Sequence, residues 1–138
     1  VTTAAPAKPL PQIVPDMAPF FEAARRHTLV AQQCETCHTL RFPARATCSR
    51  CLSRQATWVP VSGRGRVFSR AIVHQAAHPG FAADVPYAVV VVELDEGVRM
   101  LSNVIGCPTG DVAIGMPVEV TFDDVTPEVT LPKFRPRR

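Results

Sequence analysis

The stretch CETCHTLRFPARATCSRC, running from Cys34 to Cys51, decides how this chain is read. It holds two Cys-x-x-Cys pairs, Cys34/Cys37 and Cys48/Cys51, with ten residues between them. A tight knuckle turns both sulfurs of a pair to one side, and two facing knuckles set four sulfurs at tetrahedral corners. That is the donor set of a closed structural zinc site, with Zn–S near ~2.3 Å. Four thiolates leave no position for water, so the site is structural rather than hydrolytic. Iron of the rubredoxin type takes the same ligands, and two disulfides would use them in an oxidising compartment. Zinc on Cys34, Cys37, Cys48 and Cys51, in a rubredoxin-like ribbon, is the expected state.

Upstream of the ribbon, residues 1–15 (VTTAAPAKPLPQIVP) have no usable periodicity and read as a flexible, extended N-terminal segment. A short helix is expected next, with Asp16 as its cap, Phe20, Phe21 and Ala24 on one side, and Arg25 and Arg26 near the end where the dipole favours cations. Around the cysteines, Thr28–Gln32, Leu40–Pro43 and Thr57–Val61 read as strands. From Gly63 on the pattern turns all-β: Arg66–His74, Tyr87–Leu94, Val98–Ile105 and Pro117–Asp124 are rich in Val, Ile and Phe. Asp95-Glu96-Gly97 is a hairpin turn, with glycine at the position that needs positive φ, and Gly115 marks another bend. Four or five short strands suit a small barrel of the OB type. The fold class expected is therefore mainly β: a short N-terminal helix, a zinc ribbon and an OB-fold barrel. The boundaries drawn are 1–15 for the flexible segment, 16–60 for helix and ribbon, and 61–138 for the OB-fold with a C-terminal tail.

The length of 138 residues fits one domain or two small ones sharing an interface. Apolar residues at 46% and charged residues at 20% exclude wholesale disorder. The longest apolar run, Tyr87–Val92, falls far short of the ~20 residues that cross a bilayer. No basic stretch followed by a hydrophobic segment opens the chain, so a cytoplasmic setting without membrane contact is expected. Fourteen prolines oppose long helices. The net charge of +3 hides an asymmetry: residues 25–70 carry nine arginines against Glu35 alone, and residues 71–134 carry Arg99 and Lys133 against nine acids. The basic half is suited to an anionic partner, or to keeping the cysteine thiolates ionised.

No self-sufficient active site is legible. His27, His74 and His78 fall on different elements, outside any motif with a serine or cysteine. Asp95-Glu96 and Asp123-Asp124 sit in a turn and at a strand end, where solvent exposure is expected rather than paired acid–base work. Gly63-Arg64-Gly65-Arg66 resembles a phosphate cradle, but neither a helix nor a Lys-Ser pair follows it. His38 is expected as a knuckle residue rather than a ligand, and the unpaired Cys107 as a small core hydrophobe. Catalytic residues are accordingly expected to be none. A ribbon, an OB barrel and a basic face also suit single-stranded nucleic acid, but the barrel half is acidic and has one tyrosine, so that reading is the weaker one.

Several motifs in order resemble the domain-of-unknown-function 35 family: Leu29 through Cys51 with Phe42-Pro43 between the knuckles, Gly63-Arg64-Gly65-Arg66-Val67-Phe68-Ser69, Pro86-Tyr87, Val92–Gly97, Leu101-Ser102-Asn103 and Gly115–Val118. The match runs from about residue 16 to residue 136. His38 stands where the family usually has glycine, and Phe42-Pro43-Ala44 replaces its double proline. The resemblance implies an accessory subunit of a hetero-oligomer. Its partner would be a thiolase-like or lipid-transfer-type enzyme acting on an acyl-CoA thioester, with the acid–base residues on that partner. Similar chains in bacterial steroid side-chain degradation help form an aldolase that cleaves a β-hydroxyacyl-CoA. Other members serve thiolase, hydroxymethylglutaryl-CoA synthase, acyltransferase or hydratase complexes.

Overall fold

The computed structural model describes residues 7–138. Residues 1–6 of the expected flexible segment lie outside the described residues. Residues 7–14 form neither helix nor strand and rest against the loop at 79–84. There the Lys8 ammonium pairs with Asp84 and lies 5.9 Å from the centre of the Phe81 ring.

A 3-10 turn, Pro15–Met17, leads into helix α1, Ala18–Arg25. Asp16 does not cap this helix: Met17 occupies the cap position and makes no side-chain bond there. The reason is Pro15, whose fixed φ starts the helical turn early and draws Asp16 inside it. Phe20, Ala23 and Ala24 are buried at i, i+3, i+4 spacing, and Phe21 packs at the edge of the core. The chain leaves α1 through His27 in the left-handed region (φ 55), while the amides of Arg26, His27 and Thr28 bond the last carbonyls at Ala23 and Ala24. Those three residues are thus spent on ending the helix. Strand β1 consequently runs from Val30 to Cys34, two residues later than the composition suggests.

Strands β2, Leu40–Arg41, and β3, Ala56–Pro60, flank β1 antiparallel in the order β2-β1-β3. The remaining strands are β4 (Arg64–Val73), β5 (Tyr87–Leu94), β6 (Arg99–Val104), β7 (Pro117–Asp124) and β8 (Thr130–Pro136). They close a barrel in the order β4-β5-β6-β8-β7. In β5 the pleat buries Ala88, Val90, Val92 and Leu94 and turns Tyr87, Val89, Val91 and Glu93 outward. The hairpin after it closes with Leu94 N–H to Val98 O (2.9 Å) and Gly97 N–H to Leu94 O (2.8 Å), with Gly97 at φ 95.

Residues 130–136, not among the strands named from the sequence, form β8. It pairs with β7 from Val118↔Pro136 to Asp124↔Thr130 and meets β6 in parallel at Val104↔Phe134. Phe134, 1% exposed, is the largest fully buried side chain. Pro132 and Pro136 disguise this strand in the sequence, because proline removes a ladder donor.

Ribbon, helix and barrel share one core: Phe20, Leu29, Val30 and Ala31 pack in the same cluster as Val67, Val90, Val118 and Phe134. The connection from β3 to β4 is held at each residue. Val61 N–H bonds Leu29 O, and Ser62 donates its N–H and hydroxyl to the Glu96 carboxylate at 2.6 and 3.0 Å. Gly63 takes φ 74 and accepts Val120 N–H at 2.8 Å; a Cβ on it would lie 2.3 Å from Val120 Cγ1.

Candidate metal centre

The two cysteine pairs sit on knuckles of the same construction. Cys34 ends β1, its N–H bonds Thr39 O, and its carbonyl accepts His38 N–H at 2.9 Å. In the second knuckle Cys48 N–H bonds Ser53 O, and Cys48 O accepts Leu52 N–H, also at 2.9 Å. The residue four after the first cysteine must then turn left-handed: His38 has φ 61 and Leu52 has φ 65. His38 therefore adopts the backbone that glycine would supply, and the first knuckle is as tight as the second. A hydroxyl bond from Thr36 to Ser53, 2.9 Å, ties the two together.

The four sulfurs lie within 4.8 Å of one another, with Cys34–Cys51 at 3.5 Å and Cys37–Cys48 at 3.6 Å. A zinc tetrahedron with ~2.3 Å bonds sets its sulfurs about 3.8 Å apart, so the donor set fits. All five cysteines are free thiols, and the knuckle sulfurs stand well beyond the ~2.05 Å of a disulfide. Cys34 and Cys48 are buried and Cys51 faces solvent.

The electrostatics of the cluster come from hydrogen bonds. The Thr39 hydroxyl, 3.2 Å from the Cys37 sulfur, together with the Thr39 amide, pulls Cys37 down to about 6. Amide bonds from Cys37 and Thr36 lower Cys34, with burial opposing. At Cys51 the Ser53 amide is outweighed by burial and the neighbouring thiols, and the group rises to about 12. The hydrogen bonds thus favour the thiolate form at Cys37 and Cys34, the form in which a metal takes these ligands, while burial and the neighbouring thiols oppose it at Cys51. The leading causes of the downward shifts at Cys34 and Cys37 are local N–H and O–H donors.

Most of the other candidates are occupied in structural contacts, while His74 and Asp95 are exposed. His27 stacks on Phe122 (centroids 5.0 Å apart, planes 7°) and its Nε2 lies 2.9 and 3.0 Å from the two Asp124 oxygens. Asp124 also accepts the Thr130 hydroxyl at 2.7 Å, and these bonds, Thr130's first, hold its carboxyl below the usual range. Asp123 pairs with Lys133, Glu96 binds Ser62, and His78 Nδ1 accepts Gly80 N–H to cap a 3-10 turn. Gly65 lies in β4 where a Cβ would come 2.3 Å from Glu93 O, so the glycine pair serves close strand approach and a tight turn, not a phosphate. Cys107 is half-buried, its thiol pushed up by burial and Asp111. A cleft of about 570 Å³ beside α1 opposes Arg25 and Arg26 to Glu22 and Asp124, so its charges cancel. The His27–Asp124 and Ser62–Glu96 pairings link residues 97 and 34 positions apart and left no signal in the sequence.

Two family models match the chain: the rubredoxin-like zinc ribbon domain of ChsH2 over residues 21–56, and the C-terminal OB-fold domain of ChsH2 over residues 58–123. A solved structure described as an Ltp2-ChsH2(DUF35) aldolase is 42% identical, with a TM-score of 0.83 over 92% of this chain and 98% of that one. The "Probable enoyl-CoA hydratase alpha subunit" of Thermomonospora curvata is 42% identical over 129 residues, 94% of this chain and 40% of the relative. The "3-oxo-4,17-pregnadiene-20-carboxyl-CoA hydratase alpha subunit" of Mycobacterium tuberculosis is 38% identical over 109 residues, 79% of this chain and 34% of the relative. The chain thus spans 40% or less of the length of these two hydratase subunits.

Proposed function

This chain belongs to the DUF35 family, in its ChsH2-type form of a rubredoxin-like zinc ribbon joined to an OB-fold, and on that premise we propose that it is a non-catalytic accessory subunit of an acyl-CoA-processing complex. Its partner is a thiolase-like, lipid-transfer-type enzyme in the cytoplasm, and the complex is a retro-aldol lyase that cleaves a steroid side-chain β-hydroxyacyl-CoA. Residues 16–60 and 61–138 are its two units. Cys34, Cys37, Cys48 and Cys51 hold the zinc, which supplies rigidity and no reaction step. The carrying observation is the 42% identity that spans nearly all of the DUF35 chain in an Ltp2-ChsH2 aldolase.

The chain's own geometry supports a scaffolding role. Its shared core makes ribbon and barrel one rigid body, and an apolar groove of about 260 Å³ lies between α1 and the barrel, lined by Met17, Phe21, Phe42, Leu101 and Leu131. In the lyase reaction the hydroxyl proton goes to a base as the Cα–Cβ bond breaks, and the thioester enolate left behind is protonated. Both proton transfers fall to the partner.

The names of the two bacterial relatives favour a second reading, in which the chain serves a hydratase acting on the same class of thioester. Reconstitution separates the two. With a thiolase-like partner, the aldolase reading expects a stable complex and cleavage of a β-hydroxyacyl-CoA that is lost when either chain is omitted. Full-rate cleavage by the partner alone would refute it. Hydration of an enoyl-CoA that requires this chain would establish the alternative.

A further inference from the structure

Strand β4 is longer than the barrel needs. It pairs with β5 along Gly65–Val73 but with β7 only at Arg64–Arg66. Val67 makes the last bonds on the β7 side, donating to Met116 O (3.0 Å) and accepting Gly115 N–H (2.8 Å). A bulge at Phe68 then turns the strand away. From Ser69 to Val73, one edge of β4 is paired with β5, and no described residue bonds the other.

That edge is exposed among the described residues: Ser69, Arg70 and Ala71 are exposed, and at its start Ile114 (68% exposed) faces solvent, while Phe68 (47% exposed) carries the Arg99 guanidinium on its ring, 3.7 Å from the centroid. Ser69 and Ala71 stand across from Val91 and Val89 on the outer face of the sheet, and that row continues to Leu101, 69% exposed. Arg70 alternates with them, and among the described residues it has no ion-pair partner.

We propose that the free edge of β4 at residues 69–73 is a strand-addition site that takes an extended acidic segment of a protein partner. Main-chain bonds to the open edge supply affinity without sequence demand, and alternate side chains supply specificity. Acidic side chains of the added strand meet Arg70, while the alternate apolar ones extend the Val91–Ser69 and Val89–Ala71 row. A second copy of this chain fits poorly. Antiparallel self-pairing centred on Ala71 sets the two Arg70 side chains on neighbouring diagonal positions, where like charges repel. That the segment belongs to the enzyme subunit rests on the function proposed above; the strand-addition site itself does not.

The test uses the zinc-loaded, full-length protein and two capped synthetic peptides, one alternating valine with glutamate and the other valine with lysine. The expected result in NMR titration is that the glutamate peptide shifts the amides of residues 68–73 and Ile114 and slows exchange at the outward amides of 69–73. The lysine peptide should bind about fivefold more weakly, and Arg70→Glu should invert that preference. If neither peptide perturbs residues 69–73, or if Arg70→Glu leaves the ratio unchanged, the site is refuted. If the peptides behave as expected but Arg70→Glu binds the thiolase-like subunit as tightly as wild type, the enzyme is not the source of the strand.

Discussion

Replacing Gly63 by alanine tests whether the joint between ribbon and barrel is stiff. Two costs follow from its geometry. At φ 74 an alanine sits in the left-handed region, at about 1 kcal/mol. Its Cβ would also lie 2.3 Å from Val120 Cγ1 and 3.1 Å from Val120 Cβ, an overpacking worth about 1–3 kcal/mol. Gly63→Ala should therefore destabilise by about 2–4 kcal/mol, a large share of the ~5–15 kcal/mol of a typical domain. Val120 is half-buried, and Val120→Ala alone should cost about 1–2 kcal/mol. In the double variant the 2.3 Å clash with Cγ1 is gone, and the backbone strain, the lost methyls and the milder 3.1 Å approach to the Cβ of residue 120 remain. The two effects should fall short of additivity by about 1–3 kcal/mol. Urea unfolding of zinc-saturated protein measures this, with Trp58, the single tryptophan, reporting on the ribbon and far-ultraviolet dichroism on the barrel. Because the two share a core, the probes should coincide in the wild type. Additivity within about 0.5 kcal/mol would refute the steric argument, and separate wild-type transitions would refute the shared core.

Three further outcomes are expected. Elemental analysis should find one zinc per chain, and Cys34→Ser or Cys48→Ser should give unfolded or insoluble protein, since metal contributes on the order of 10 kcal/mol to the folding of small ribbons; soluble, partner-competent variants would show the ribbon to be dispensable. His38→Gly and Leu52→Gly should each raise the melting temperature of the zinc-loaded protein by about 2–4 °C, because each relieves left-handed strain that exceeds the added chain entropy of glycine; a lower melting temperature would contradict the knuckle geometry. Asp124 is held below its usual range by Thr130 and His27, so its contribution to stability is present above the unfolded carboxylate value and is lost as pH falls through the folded one. Acidification below about pH 4 should accordingly destabilise the wild type more steeply than Asp124→Asn, and parallel pH profiles would show that the bonds to Thr130 and His27 contribute nothing.

Residues close in the chain carried most of what was readable. Cys34, Cys37, Cys48 and Cys51 announce the ribbon because each pair is confined to one turn, and the spacing within a turn is set by covalent geometry. Strands β5 and β7 run from Tyr87 to Leu94 and from Pro117 to Asp124, as their composition and flanking turns imply. The start of β1 departs from its local signal because its opening depends on how α1 ends, through His27 at positive φ. Strand β8 is hidden in the sequence because its two prolines weaken the local signal, while Phe134 gains its burial only when β6 and β7 close around it.

Composition, cysteine spacing and alternation thus determined the kinds of element in this protein, because each is encoded within a few residues. Closure of the barrel by β8, the clasp of His27 on Asp124 and the open edge of β4 were decided only in three dimensions. Each of these depends on contacts between distant segments, or on where a neighbouring strand stops, and such contacts form only once the core has brought those segments together.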